Sequence, residues 1–381
     1  MKKIILVNQT ANYLFADIIQ AFANKHVGCE IEAWYGSFDY DISQLPKSVI
    51  LKQGPEYERS SFKKRFRTWV KFYFWMRKQL RAIDKKNAIF YFVSNPPLFV
   101  FLPGVAKLDF DCMIYDLYPD VLGDMRKKKL INSIAKRWEK KNRRVFPQAK
   151  HIYTLGEGLK EAITAYLPAG MEGKVEVVPV WNKKAASDSK STRNFKVEWG
   201  LTGKKIILYS GNIGLTHPVE YMVELAKHMQ AYSDWHFVIV GNGAKKAQLE
   251  QQATGLDNIL FKESVPFEDL SALLAIANWG YVTLDTTATN TSVPSKTYNL
   301  LAAGVPILAM VNQQSDIARL IGNYKVGLYY KEQEMDSTIN KIVGMTDNDL
   351  QVFSANAIQC SKDFTAKLAD IFADNRLTVN V

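Results

Sequence analysis

The stretch from Val293 to Ala309, VPSKTYNLLAAGVPILA, sets serine, proline, lysine and asparagine at the start of a short helical pattern. Ser292 or Ser295 can cap that helix and Pro294 suits its first turn, where backbone N–H groups point unpaired at whatever anion docks. Lys296 adds a full positive charge, and Thr297, Tyr298 and Asn299 supply further polar groups, so the segment suits a diphosphate. Gly304 followed by Pro306 closes the helix and launches an apolar strand, Ile307 to Val311, which puts the anion site beside the end of a sheet. The same residues also suit an ordinary surface helix with normal caps.

The elements that must position this segment are strands and helices in alternation. Ile206 to Leu215, IILYSGNIGL, is an apolar run broken at Gly211-Asn212, and a helix pattern follows from Pro218. Two glycines there let backbone pass close to phosphate oxygens. His236 to Gly243, HFVIVGNG, is a second buried strand ending in a glycine turn at Gly241-Asn242. Asn258 to Phe261, Leu270 to Ala277 and Trp279 to Leu284 continue the series, which predicts a parallel, doubly wound α/β sheet with ligands at the carboxyl ends of its strands. The first half alternates too: strand Lys3 to Val7, helix Ala16 to Phe22, and strands Ala88 to Val93, Cys112 to Tyr115, His151 to Thr154 and Val175 to Val178. A polar stretch without periodicity, 182–205, predicts a hinge between a domain 1–181 and a domain 206–365, with a C-terminal helix in 366–381 returning to the first domain. A chain of 381 residues with 47% apolar residues can bury two such cores.

This order of turns, with SNPPLFVFLPG and YDLYPDVLG in the first half, resembles the retaining glycosyltransferases of family 4 across nearly the whole chain. The resemblance implies a GT-B fold, two Rossmann-like domains facing across a cleft. It also implies transfer of a hexose from a UDP- or GDP-linked donor to a hydroxyl of a lipid-linked glycan, as in capsule, O-antigen or exopolysaccharide assembly, with configuration retained. The nucleotide sugar is then a substrate, and neither metal nor cofactor is required. Asp116 matches the family's aspartate and would orient the acceptor hydroxyl or take its proton, although it equally suits an aspartate bonding its own turn amides. Asn95 and Asn12 would face the cleft on the acceptor side. Gly211, Asn212, His217, Gly241, Asn242, Pro294, Ser295, Thr297, Tyr298 and Asn299 would contact the donor, with Lys296 stabilising the departing diphosphate. Four departures stand out. The family's paired glutamates fall at Thr291 and Asn299, its arginine and lysine at Asn212 and His217, a histidine some members carry at Tyr115, and a glycine at Asn12. They also admit a nucleotide-sugar-binding subunit without turnover, or a GT-B epimerase.

Charge is uneven: residues 1–150 hold 28 Lys and Arg against 14 Asp and Glu, within a chain of net charge +11. Phe62 to Lys86 and Arg126 to Arg144 each carry ten basic residues and one acidic. In the first, Phe62, Phe66, Trp69, Tyr73, Met76 and Leu80 make one apolar stripe, while Phe74 and Trp75 flank a basic face with Arg67, Lys71 and Lys78. Aromatics among cations predict contact with an anionic membrane surface, a handful of cations contributing about 1 kcal/mol each. The second helix is expected to turn Leu130, Ile134 and Trp138 inward. Nucleic acid would meet the same charge, but no recognition motif or zinc spacing accompanies it. The apolar run after the first lysines is too short for a signal peptide, and Cys29, Cys112 and Cys360 are odd in number and far apart, so the expected place is the cytosol, at the inner face of the membrane. The Asp-x-Asp triplets at Asp39, Asp109 and Asp347 are expected to mark polar turns or strand edges.

Overall fold

The computed structural model describes residues 2–58, 62–181, 191–214, 218–284 and 294–376, and the chain divides into two compact units. One holds the described residues up to Pro179 together with those from Ala366 onward; the other holds the described residues between.

In the first unit β1 (Lys3–Asn12), β2 (Glu30–Asp39), β3 (Val49–Gln53), β4 (Ala88–Val93), β5 (Asp109–Ile114), β6 (Ile152–Thr154) and β7 (Val175–Val177) form one sheet in the order β3-β2-β1-β4-β5-β6-β7. All neighbours are parallel. The strand order reverses between β1 and β4, which opens a crevice at their carboxyl ends. All of β4, AIFYFV, is buried, as a strand covered on both faces requires. β1 runs five residues beyond the expected Val7 because its buried polar residues find partners: Asn8 Oδ1 accepts from the Thr10 N–H (3.1 Å), and Gln9 Nε2 donates to the carbonyls of Pro55 (3.2 Å) and Thr68 (3.1 Å). β2 gives little sequence signal since it carries Glu32, buried yet held by Lys3, Lys52 and the Trp34 indole at 2.8 Å each.

Both basic segments are helices, Phe62–Gln79 and Lys129–Val145, but their faces differ from expectation. In the first, Trp69, Phe72 and Met76 turn inward and Phe66 is 45% exposed; the Phe62 side chain lies outside the description. Trp75 does not face solvent with Phe74. It packs edge-on to Trp34 (5.7 Å) and against Phe72 (5.1 Å), in space left by Gly54, where a Cβ would come within 2.8 Å of the indole. In the second, Ala135, Trp138, Asn142 and Val145 form the buried stripe. Leu130 lies roughly 100° from its centre at the α-helical repeat, so it and Ile134 point outward, 75% and 51% exposed.

The C-terminal helix Ala369–Asp374 packs within the first unit, with Phe372 edge-on to Tyr153 (4.6 Å). Arg376, 1% exposed, binds Asp111 through Nε and Asp109 through Nη1 (2.7 Å). One Asp-x-Asp pair is therefore an arginine clamp. In the others Asp41 caps the turn at Ser43 and Asp349 forms a capping box with Thr346.

The second unit holds β8 (Lys205–Ser210), β9 (Trp235–Val240), β10 (Ile259–Lys262), β11 (Trp279–Thr283), β12 (Ile307–Met310) and β13 (Gly327–Tyr330), all parallel, in the order β10-β9-β8-β11-β12-β13. Its reversal lies between β8 and β11. The expected hinge falls partly outside the described residues, at 182–190, and its remainder is packed into this unit. Phe195 is fully buried, and Arg193 pairs with Glu198 (2.6 Å) and Asp269 (2.9 Å).

Candidate active site

In the second unit the apolar strand β8 breaks at Gly211 because its turn touches the turn after β9. A Cβ on Gly241 would stand 1.9 Å from the Gly211 carbonyl oxygen, and one on Gly243 would stand 2.3 Å from that of Ile213. Positive φ values of 150° at Gly211 and 152° at Gly241 add a second reason for glycine. The turns are then locked: the Gly211 N–H donates to the Val240 carbonyl (3.0 Å), the Ile213 N–H to that of Asn242 (2.9 Å), and the Tyr209 hydroxyl to that of Asn212 (2.7 Å). The side chains of Asn212 and Asn242 stay exposed.

Onto this platform reaches Lys296, the first residue of the helix Lys296–Ala302. Its Nζ lies 3.6 Å from the centre of the Tyr209 ring, and its side chain passes beside Gly211. No carboxylate pairs with it among the described residues, and burial pulls its pKa down to about 7. Ser210, Tyr281, Asn299 and Leu300 line the same recess. An ammonium held against an aromatic face, with no counter-ion among the described residues, has the chemistry to accept an anion.

The helix start itself contributes less than its sequence implies. Ser295 is in the helical region and makes no side-chain capping bond. The amides of Thr297 and Tyr298 are taken by the carbonyls of Pro294 (3.1 Å) and Ser295 (3.2 Å). Thr297 is buried, and Tyr298 turns into the core against Phe364 (4.9 Å), so neither side chain faces the recess. Pro294 is buried ahead of the helix, not within its first turn. His217, Thr291, Ser292 and Val293 lie outside the described residues. Gly211, Lys296 and Asn299 converge. Tyr209, whose ring seats the lysine and whose hydroxyl pins the turn, escapes a reading of glycines and charges; its signal is an aromatic next to the last residue of β8.

In the first unit, the Ser94 hydroxyl after β4 accepts the N–H groups of Tyr115 (3.0 Å) and Asp116 (3.4 Å) after β5, joining two loops that contain cis peptides at Asn95–Pro96 and Tyr118–Pro119. The Asp116 carboxylate is exposed and accepts no hydrogen bond among the described residues, so it is not a turn-capping aspartate. Desolvation by surrounding protein raises its pKa, and the Arg65 guanidinium opposes part of that rise. Tyr118 stacks on Trp138 (5.4 Å) and meets Trp69 edge-on (5.3 Å), while the Trp69 indole donates to Asn95 Oδ1 (3.3 Å). Asn12 plays a different part from the expected one: its side chain accepts the Leu14 N–H (3.1 Å) and caps the helix Tyr13–Lys25. Arg65 and Trp69 were not among the expected site residues, although a cation one turn ahead of Trp69, Phe72 and Met76 on the same face marks an inward-pointing charge.

Two doubly wound units, each an all-parallel sheet whose strand order reverses once, define the class of the fold. Residues 191–359 match the family model described as glycosyl transferases group 1. The Escherichia coli (strain K12) protein WcaI, which carries the name of a colanic acid biosynthesis glycosyl transferase, is 35% identical over 119 residues, 31% of this chain and 29% of that protein. The match thus spans less than a third of that relative. Over the whole chain the structure is similar to WaaG, a glycosyltransferase involved in lipopolysaccharide biosynthesis, with a TM-score of 0.67 at 15% identity, covering 97% of this chain and 99% of that one. It is similar also to Anabaena HepE in complex with UDP, with a TM-score of 0.65 at 12% identity and full coverage of both. The fold is GT-B.

Proposed function

We propose that this chain is a glycosyltransferase of surface-polysaccharide assembly that moves a hexose from a UDP- or GDP-linked donor to a hydroxyl of a lipid-linked glycan, retaining configuration and without a metal. The observation that carries this reading is Lys296, which has no carboxylate partner among the described residues and lies on the face of Tyr209 beside the Gly211 turn. A diphosphate leaving group develops negative charge as the glycosidic bond breaks, and a cation fixed in a partly desolvated recess stabilises that charge more than it would in water. Asn299, a polar group three residues along the same helix, suits a ribose hydroxyl. The matched family, the name of WcaI and the UDP bound by HepE support the donor class. Asp116, accessible and without a hydrogen-bonded partner among the described residues, would orient the acceptor hydroxyl or take its proton, and its raised pKa makes it the better base.

Turnover tests this reading. UDP- and GDP-hexoses incubated with the protein and a membrane lipid extract should release nucleotide only when the extract is present. Asp116→Asn should lower kcat by about 100-fold or more while leaving nucleotide binding intact. Binding without release would make the chain a donor-binding subunit, and interconversion of the sugar without acceptor would make it an epimerase.

A lipid-linked acceptor requires a seat at the membrane. Among the described residues no helix is long and apolar enough to cross one. Phe66 and Phe74, 45% and 57% exposed, stand among the exposed Arg67, Lys71 and Lys78 and would dock on an anionic cytoplasmic leaflet. Replacing both phenylalanines by serine should weaken binding to anionic liposomes by about tenfold or more, with the melting temperature unchanged because neither ring is in the core. Unaltered liposome binding would mean that this face does not meet the membrane.

A further inference from the structure

Arg65 lies near the start of the basic helix Phe62–Gln79, on the face that carries Trp69, Phe72 and Met76 into the core. Its guanidinium lies against the Tyr118 hydroxyl and within electrostatic reach of Asp116. Among the described residues it closes no ion pair with that carboxylate, and its Nε–H is buried without a hydrogen-bond partner. A buried unsatisfied donor costs about 1–3 kcal/mol, a cost that a bound acceptor atom would remove. Asp116 likewise accepts no hydrogen bond among the described residues. A cation and an anion that stand near one another without pairing among the described residues leave room for a third group, the Arg65 Nε–H for an oxyanion and the carboxylate for a hydroxyl. Trp69, Tyr118 and Trp138 wall the same place with aromatic surface.

We propose that Arg65 binds a phosphate or diphosphate group of the acceptor, next to the hydroxyl that Asp116 takes. The inference rests on Asp116 marking the acceptor side. The guanidinium fork matches phosphate oxygens bidentately, which a lysine cannot do. The helix favours a phosphate over other oxyanions, because its outer face continues the positive charge through Arg67 and Lys71 to the surface that would meet a membrane, where lipid-borne phosphate lies.

The test is calorimetric titration of inorganic pyrophosphate into Lys296→Ala protein, in which the donor recess has lost its cation and competes less. Arg65→Ala added to that background should weaken binding tenfold or more, and Arg65→Lys, which keeps the charge and loses the fork, should fall between. Asp116→Asn should act in the opposite direction and tighten binding several-fold, because it removes a neighbouring negative charge; a merely structural arginine would not produce that reversal. A medium-chain alkyl diphosphate that binds more tightly than pyrophosphate assigns the group to a lipid, and equal affinities assign it to a soluble sugar phosphate. Equal pyrophosphate affinity with and without Arg65, or no binding in its presence, overturns the proposal. Nucleotide binding by the wild-type protein is measured separately, so failure of the donor reading is distinguishable from failure here.

Discussion

Replacing Lys296 by methionine is expected to stabilise the free protein while removing most of its affinity for nucleotide. In the folded chain burial holds this lysine at a pKa of about 7, against an ordinary 10.5. Between those values the unfolded chain binds more protons, so stability rises with pH across that window, and the penalty for burying the charge is at its full size below about pH 7. Methionine carries no such penalty. It keeps a similar volume against Tyr209, so the free variant should gain roughly 2 kcal/mol near neutral pH, a figure discounted from the shift because the ammonium is part-exposed. Loss of the charge-assisted contact should cost about 3 kcal/mol of binding, or ~100-fold in nucleotide affinity. The wild-type protein adds a pH signature. A bound diphosphate raises the lysine pKa, so affinity should be greatest below about pH 7 and fall by up to tenfold per unit above it. Melting curves of both proteins with and without UDP or GDP, at pH 6 and pH 8, read all of this. A variant that melts lower than the wild type in the absence of nucleotide would contradict the desolvated-lysine reading.

The second large effect lies at the C-terminal clamp. Replacing Arg376 by alanine should lower stability by about 3–5 kcal/mol, because it leaves Asp111, fully buried, without the cation that holds it. Asp111→Ala should also be costly, since it leaves the buried Arg376 with Asp109 alone and removes the acceptor of the His151 backbone N–H (3.0 Å). Asp109, with a third of its side chain exposed, should cost less than about 1 kcal/mol. The double variant Arg376→Met with Asp111→Leu should be milder than the sum of the two alanine variants, because no charge is left stranded. Melting temperatures, with proteolysis to follow release of the C-terminal segment, measure this order. An Arg376→Ala protein that melts within a degree of the wild type would show that the clamp holds nothing.

The doubly wound pattern of both units was legible because parallel strands covered on both faces read as apolar runs, and their glycine turns fall where backbones touch. Gly211 and Gly241 are of this kind. β2 was not legible, because a buried carboxylate, Glu32, interrupts it and becomes tolerable only through Lys3, Lys52 and Trp34, whose contact no local pattern announces. Helix faces were legible only in part. Trp75 has the periodicity of a flanking residue, yet a distant glycine, Gly54, makes room for it in the core. At the site, the charge of Lys296 could be seen, but not that no carboxylate among the described residues pairs with it. Arg65 stood in plain sight as one of ten cations in its segment, and only tertiary contacts with Tyr118 and Asp116 separate it from the others.

The recess between the Gly211 turn and Lys296 is proposed to receive a nucleotide diphosphate. Calorimetric titration of the wild-type protein with UDP and with GDP at pH 8, in two buffers of different ionisation enthalpy, tests it most directly. One of the two nucleotides should bind, with uptake of about one proton as Lys296 becomes charged. Binding by neither nucleotide, or binding without proton uptake, would contradict it.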